Sequence, residues 1–526
     1  MASTFSAFYV AKSGIQAARA NLQITGQNMT NVNTVGYTRQ RVDTVAVGSS
    51  GNNMRYSNTT DLGIGEGVEC GGISQIRDPY LDVRYRVEHA KTGETGTQLD
   101  TLNDLESVFD ETTKDGIGTQ FKDLITKLQS LAGTPSNTGL ENIAKNSALL
   151  LTKALNNTAQ QLTAIRKQQT DSLENDAVAK ANNLLKNIAN LNTQIKSADV
   201  SGTPALELMD QRNSMIDELS QYANIEVTSK TVPVGGTKEV SELNISLVSG
   251  DKKFSLVSNS NYNQFGLAKT DGVVTTPVDM TLKTVSGADV EADDGSTLVD
   301  KDVASGAFGG YLTMLNDKGE YDSPATTRGI GYYENTLNKL ASEFAGMMNT
   351  ANSTNTAADN KPLFATSDGT STIDASNISL SSAWNNATGS YLTVTKQDPI
   401  TGVSSSTPGD NVLYMIKQFS TEKTYKTATD NSSGSTLFTG SLSTFVSNIS
   451  GTLALQVQDI TRQDTTYNST LSDINTQRAS ISSVDVNEEG INLIMYNQAL
   501  TASSRFMTTM DEAMDTIINN TGRVGR

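Results

Sequence analysis

The stretch NEEGINLIMYNQALTASSRFMTTMDEAMDTI, residues 487–517, decides how this chain folds. In and around it Leu493, Tyr496, Leu500, Ser503, Met507, Met510, Met514 and Ile517 recur at steps of three and four. That spacing draws one largely apolar stripe along a helix, as in a coiled-coil seam. No Gly or Pro interrupts it between Gly490 and Gly522. Asn487 can cap this helix, and Glu488 and Glu489 fall in its first turn, where the helix dipole favours acids. Upstream, Leu453, Val457, Ile460, Tyr467, Leu471, Ile474 and Ile481 form a second stripe, with polar Asp464 and Arg478 at two of its seam positions. Residues 482–490 read as a break between the two helices.

The other end of the chain has a matching pattern. Phe8, Ala11, Ile15, Ala18, Leu22, Thr25, Met29 and Val32 step 3-4-3-4-3-4-3. Gly14, Gly26 and several small residues make this a marginal helix when alone, so it needs a partner. Gly36 and Tyr37 end it. Charge points the same way. Residues 1–41 hold Lys12, Arg19, Arg39 and Arg41 and no acid, whereas 451–526 hold nine acids against five Arg. Simple solvated faces would give the same counts, because exposed charge pairs are individually weak.

Between the ends, residues 140–201 contain no Gly or Pro. Ala177, Ala181, Leu184, Ile188, Leu191, Ile195 and Ala198 step 4-3-4-3-4-3 within them. Unbroken, such a helix is on the order of 90 Å long and needs neighbours along its side. Shorter helical runs fit 97–112, 119–131, 205–222, 328–350 and 410–419. Residues 226–305 alternate in places, as at Leu243, Ile245 and Leu247, and read as a β-rich insert with many turns. Residues 358–435, with the only tryptophan, Trp384, read similarly.

The expected fold is therefore mainly α with β inserts: a long helical bundle or coiled coil formed by both chain termini, a helical core domain and outer β-containing domains. The expected boundaries are 1–48 with 455–526 for the terminal coiled coil, and 49–225, 306–357 and 436–454 for the helical core. The inserts take 226–305 and 358–435. A chain of 526 residues exceeds what one core usually supports, which agrees with several domains.

Composition narrows the function. Hydrophobic residues are 36% and aromatics 6%, lean for a large enzyme with a lined pocket. A net charge of −17 argues against phosphate backbones and anionic membranes as partners. No apolar run reaches the ~18 residues that span a bilayer. The start, MASTFSAFYVAKSGIQ, does not read as a cleaved signal peptide. One cysteine, Cys70, allows no intrachain disulfide, so packing or assembly must hold the chain.

Candidate chemistry is sparse. The single histidine, His89, has no second His or Cys at ligand spacing, which leaves no His/Cys zinc set, and it reads as a surface residue. Cys70 has only His89 as a possible base and reads as a small half-buried side chain. Gly63-Ile64-Gly65-Glu66-Gly67 resembles a phosphate loop but lacks the Lys-Ser/Thr ending, and reads better as a turn before a strand. No metal, cofactor or catalytic set emerges from this search.

Asn28-Met29-Thr30-Asn31-Val32-Asn33-Thr34-Val35-Gly36-Tyr37-Thr38-Arg39-Gln40 resembles the N-terminal signature of bacterial flagellar axial proteins, the rod, hook and hook-associated family. Ile76-Arg77-Asp78-Pro79-Tyr80-Leu81-Asp82 resembles the segment that follows it. Val486 to Leu500, continuing to Asp515, resembles the family's C-terminal signature. Leu208-Met209-Asp210-Gln211-Arg212-Asn213 and Gly309-Gly310-Tyr311-Leu312 are similar to the hook-associated branch. The family often has Ala where Met29 and Thr30 stand here, and the resemblance does not extend to 226–305 or 358–435.

The resemblance implies a non-enzymatic subunit of the junction between flagellar hook and filament. It would be extracellular, exported by the flagellar route without cleavage, and need no cofactor. Implied partners are further copies in a ring or helical layer, the hook protein, a second junction protein (hook-associated protein 3) and a cytoplasmic export chaperone on the C-terminal segment. Neither nucleic acid nor membrane insertion is implied. The N-terminal assembly residues would be Ile15, Leu22, Asn28, Asn31, Thr34, Gly36, Tyr37 and Arg39. The C-terminal assembly and chaperone residues would be Leu493, Tyr496, Gln498, Leu500, Met507, Met510, Met514 and Ile517. Another axial protein, of hook or distal rod, and an axial scaffold with a hydrolase in a β insert remain as alternatives.

Overall fold

The computed structural model describes residues 6–47, 65, 67–110, 116–203, 205–233, 239–271, 273–353, 361–396, 405, 407–428 and 431–520. The N-terminal stripe forms α1 (Ser6–Thr30). Gly36, at φ +81°, turns the chain in a left-handed conformation that glycine adopts without strain. An antiparallel hairpin follows, β1 (Gln40–Val47) with β2 (Gly67–Gln75). Gly65 and Gly67 belong to the glycine-rich run, and Gly67 opens β2; Gly63, Ile64 and Glu66 lie outside the described residues.

Asp78 caps α2 (Pro79–Phe109) by accepting from the Tyr80 N–H, with Pro79 in the first turn, where a missing N–H costs nothing. After α3 (Ile117–Gly133), Asn137 caps α4 (Thr138–Ser172) through the Gly139 and Leu140 N–H groups. A π-helical turn, Leu173–Val178, joins α4 to α5 (Ala179–Ser201). The stretch without Gly or Pro is thus helical throughout, with one wider turn inside it. Then comes α6 (Leu206–Leu219).

The first insert is a five-stranded antiparallel sheet in the order β3-β4-β5-β6-β9. Its strands are β3 (Ile225–Pro233), β4 (Glu239–Ser249), β5 (Lys252–Ser258), β6 (Asn261–Leu267) and β9 (Met280–Thr284). A short hairpin, β7 (Lys269–Thr270) with β8 (Val273–Val274), sits between the last two. The Asn182 side chain on α5 bonds both N–H and C=O of Phe265, pinning the sheet to the helix.

The helical part resumes with α7 (Gly306–Asn316) and α8 (Ile330–Asn352). The second insert holds β10 (Phe364–Thr366) paired with β11 (Ile378–Leu380), then α9 (Ser382–Asn385) and α10 (Asp410–Ser420). The strands β12 (Lys423–Lys426) and β13 (Thr436–Gly440) pair before α11 (Leu442–Ser482). The chain closes with α12 (Val486–Asp515) and a π turn, Thr516–Asn520.

Several expectations change. The described part of 358–435 packs against the helical core: Phe364, Trp384, Met415 and Phe419 are buried with α3, α4 and α8. Phe121 of α3 meets Phe344 of α8 edge-on at 5.3 Å and Phe419 of α10 at 6.0 Å. The expected domain start at 455 falls inside α11, which runs unbroken along α2 as far as Ser482. The break at 482–490 is the three residues Ser483–Asp485, and the cap is Asp485, which accepts from the Asn487 and Glu488 N–H groups. Helix α2 begins at Pro79, not near 97, and α7 was not anticipated. Both were obscured by glycines that the packing requires. A Cβ on Gly93 of α2 would lie 2.0 Å from the Gln221 carbonyl oxygen, and one on Gly310 of α7 2.6 Å from that of Glu94.

Intrinsic propensity alone says that Gly93→Ala stabilises α2 by about 1 kcal/mol. The packing reverses the sign: we expect destabilisation of about 1–3 kcal/mol, the usual cost of overpacking, read by chemical denaturation of the intact chain.

Candidate functional site at the paired termini

Helices α1 and α12 pack along each other. They run antiparallel, since Gly14 lies by Ser503 and Asn28 by Glu489. A Cβ on Gly14 would stand 2.9 Å from Ser503 Oγ, so two small residues let the backbones approach at the crossing. On α12 the half-covered positions include Tyr496, Leu500, Ser503, Met507, Met510 and Met514, the seam spacing of the sequence. On α1, Ala11, Ala18, Ile24 and Thr25 are buried and Ile15 and Leu22 half-buried.

The pair leaves apolar surface uncovered. Ile491 is 67% exposed, Met495 50% and Phe506 43%. With Gln498 and Ala502 they form a second stripe on α12, turned away from α1, beside a shallow cavity lined by Leu493, Asn497 and Arg505. Leu493, Gln498 and Ile517 are therefore exposed, not buried in the seam.

The signature at 28–40 folds into a hydrogen-bonded knot. Asn28 is buried at the end of α1; its Nδ2 donates to the Gln40 carbonyl at 2.9 Å and to Glu489 Oε1 at 3.3 Å. Its Oδ1 accepts from the Gln40 N–H at 3.0 Å and the Tyr37 hydroxyl at 2.9 Å. Burial, then the charges of Asp210, Glu207 and Glu489, push the Tyr37 pKa up to about 12, so the phenol stays neutral and donating. Asn31 and Thr34 shape the turn between: Thr34 Oγ1 donates to Asn31 Oδ1, and the Thr34 N–H to the Asn31 carbonyl.

Arg39 joins this knot to α12. Its Nε donates to Glu489 Oε1 at 2.7 Å, and its two terminal nitrogens bind Glu488 at 2.8 and 3.0 Å. The hydrogen bond to Glu488 is the largest cause of its raised pKa. The expected attraction between the chain ends thus rests on Arg39 here. Arg41 instead pairs with Asp43 on its own strand, and among the described residues Lys12 and Arg19 make no ion pair. Glu489 Oε2 is buried without a partner, so the knot is not fully satisfied.

Beneath the knot lies a chain of alternating charges. Arg86 (α2) pairs with Asp217 (α6), Asp217 with Arg478 (α11), Arg478 with Asp82 (α2) and Asp82 with Arg77. Arg77 then approaches Asp210 (α6) at 3.8 Å, and Asp210 accepts from the Thr38 hydroxyl at 2.6 Å and the Thr38 N–H at 3.0 Å. The Arg478 guanidinium also lies over the Tyr85 ring, 4.3 Å from its centroid. His89 is half-buried rather than a free surface side chain: its Nδ1 meets the Asp217 carbonyl oxygen at 2.8 Å, and burial lowers its pKa. Cys70 is exposed on the hairpin.

The sequence named Asn28, Tyr37 and Arg39 but not their acidic partners' roles, and it quoted Arg77 and Asp82 only as part of the motif at 76–82, without their pairing. A signal was present in Arg478 and Asp464, charges at seam positions of an apolar stripe. A buried charge there must be paired; Asp464 accepts from the Thr95 hydroxyl.

Coiled terminal helices, locked at one end and carrying an unused apolar stripe, define an assembly subunit. Residues 102–364, half of the chain, match the family model described as the flagellar hook-associated protein FlgK helical domain, and the chain belongs to that family. A flagellar hook-associated protein 1 from Bacillus subtilis (strain 168) is 26% identical over all of both chains. Its counterpart in Escherichia coli (strain K12) is 27% identical over 65% of this chain and 56% of its own length. The solved structure of the flagellar hook junction protein FlgK from Burkholderia pseudomallei has a similar fold, with TM-score 0.55 over 76% of this chain and all of that chain, at 15% identity.

Replacement of Asn28 separates donor from shape. Asn28→Ala strands buried partners, at about 1–3 kcal/mol for each group left unpaired. We expect Asn28→Asp to be worse, because it adds a carboxylate beside Glu489 and faces the Gln40 carbonyl with an acceptor. Denaturation of the two variants in parallel checks the order.

Proposed function

We propose that the chain is a structural adaptor subunit at the flagellar hook–filament junction, built into a ring or helical layer through its paired termini. The observation that carries this reading is the outward stripe of α12, Ile491, Met495 and Phe506, on a helix already paired through its other face. A helix with two apolar faces and one partner has room for a second partner of the same kind. The assembly residues are those named from the sequence, divided by geometry. Ile15, Leu22, Tyr496, Leu500, Met507, Met510 and Met514 close the seam within the chain. Asn28, Asn31, Thr34, Gly36, Tyr37 and Arg39 lock its end. Leu493, Gln498 and Ile517 face outward.

Family membership supports the partners: hook protein on one side and a second junction protein, hook-associated protein 3, on the other. A cytoplasmic chaperone that covers the exposed α12 stripe before export fits its chemistry, since an uncovered amphipathic helix invites aggregation. The same membership supports export by the flagellar route without cleavage. No helix among the described residues is long and apolar enough to cross a membrane. The relatives' names describe hook-associated proteins, and the chain is read as a non-enzyme that uses no cofactor. The domains we propose are a terminal unit of α1, the hairpin and α12, a helical body that includes 358–435, and the sheet of 226–305.

A strain lacking the gene tests the role. The expected outcome is hooks without filaments by electron microscopy, with flagellin shed into the medium, restored by this chain. Absent hooks would move the protein to the rod or hook, and normal filaments would refute the junction role. Within a complementing chain, Leu500→Asp and Met507→Asp each put a charge in the seam. We expect both to abolish incorporation; filaments of normal number with either variant would refute the seam assignment.

A further inference from the structure

The terminal unit (α1, the β1–β2 hairpin and α12) joins the body through two tethers of three residues, Ile76–Asp78 and Ser483–Asp485. Neither α1 nor α12 packs along a body helix among the described residues. The unit is held to α6 by polar contacts instead. Thr38 gives two hydrogen bonds to Asp210, Gln27 gives one to Glu207 at 2.7 Å, and Gln75 gives one to the Leu206 carbonyl at 3.0 Å. Asp210 is 6% exposed and Thr38 3%, whereas the Gln27–Glu207 bond is exposed to water. At this neck an open cavity of about 490 Å³, lined by Tyr37, Tyr85, Asn213, Asn475 and Val484 among others, leaves the joint uncovered. No close packing fills that space, so the angle of the unit depends on these polar contacts and on the bond from the Arg39 N–H to the Ser482 carbonyl at 2.9 Å, and among them the latch is Asp210, the buried carboxylate that takes two bonds.

The angle matters because the lever is long. Helix α1 has 25 residues, about 37 Å at 1.5 Å per residue, so a tilt of about 10° moves its tip by about 6 Å, roughly one helical turn. A displacement of that size takes a seam out of register with a neighbour's. Resting on the reading of the terminal pair as the assembly element, we infer that Asp210 and Thr38 are positioning residues. They set the tilt of the terminal unit on the body, and this tilt, separately from the seam, is required for a subunit to enter the layer.

Asp210→Asn keeps the shape but turns one acceptor into a donor facing a donor, and it removes the charge beside Arg77. Thr38→Val removes the hydroxyl at near-constant volume. Neither touches the α1–α12 seam. The experiment expresses each full chain in the deletion strain and measures secreted amount, melting of the secreted chain, and the fraction of hooks bearing filaments. The inference expects secretion close to wild type and a melting temperature lowered only by the lost buried hydrogen bonds, with at least a tenfold loss of filament-bearing hooks that this fall in melting does not match. Wild-type filament counts in both variants would overturn it. Equal losses of melting, secretion and incorporation in both would also overturn it, because they indicate a folding role alone. Should Asp210→Asn fail to fold, Thr38→Val decides: secreted and unincorporated supports the latch, incorporated overturns it. Failure of the wild-type chain itself to restore filaments would instead count against the junction role, and is scored in the same experiment.

Discussion

The ion chain at the neck, Arg86–Asp217–Arg478–Asp82–Arg77–Asp210, is the interaction on which the rest of the architecture depends. Three helices and a tether meet there. Each of the six side chains is at most 17% exposed, and the charges balance three against three. Replacing such a chain by apolar groups is often neutral for stability, but removing an inner member such as Asp217 or Arg478 strands its partners at a cost of about 3–5 kcal/mol; Asp210 ends the chain, and Arg77 keeps Asp82 without it. The ion chain's contribution is therefore read better as geometry than as net stability. It fixes where α2, α6 and α11 cross, and so where the signature at 28–40 can dock.

From that platform the terminal pair projects as a separate layer of organisation. The body is held by a conventional core in which Phe121, Phe344 and Phe419 interlock. The pair has no such core: every seam residue of α12 is only half-covered, and Glu489 alone on that helix is buried. A two-helix seam with small residues at its crossing is marginal in water. Its stabilisation comes from the knot around Asn28 and Arg39 at one end, and the neighbours we propose would cover the rest of its length.

Much of this was legible in the sequence, because it depends on periodicity. The stripes at 8–32, 453–481 and 493–517 marked the helices and most of the faces they cover, with Ile481, Leu493 and Ile517 exposed instead, and the break at 482–490 placed the joint within a few residues. What could not be read is what periodicity does not carry. Gly93, Gly96, Gly309 and Gly310 looked like breakers, yet Gly93 and Gly310 let α2 and α7 approach neighbouring backbone. Residues 358–435 have short, turn-rich segments that look peripheral, yet Phe364, Trp384 and Phe419 supply core contacts that only the tertiary fold brings together. In the site, Asn28 and Arg39 stood out through family resemblance, while their dependence on Glu488 and Glu489 is a long-range fact. Arg39 and Glu489 are separated by 450 positions.

The central claim is that the two ends of one chain pair with each other in the assembled flagellum. The most direct measurement introduces Gly14→Cys and Ser503→Cys, with Cys70→Ser, and oxidises isolated hook–filament structures. The account predicts an intrachain disulfide, seen as a faster-migrating monomer that returns to normal mobility on reduction. A ladder of covalent oligomers, or no crosslink in structures that contain the protein, would contradict it.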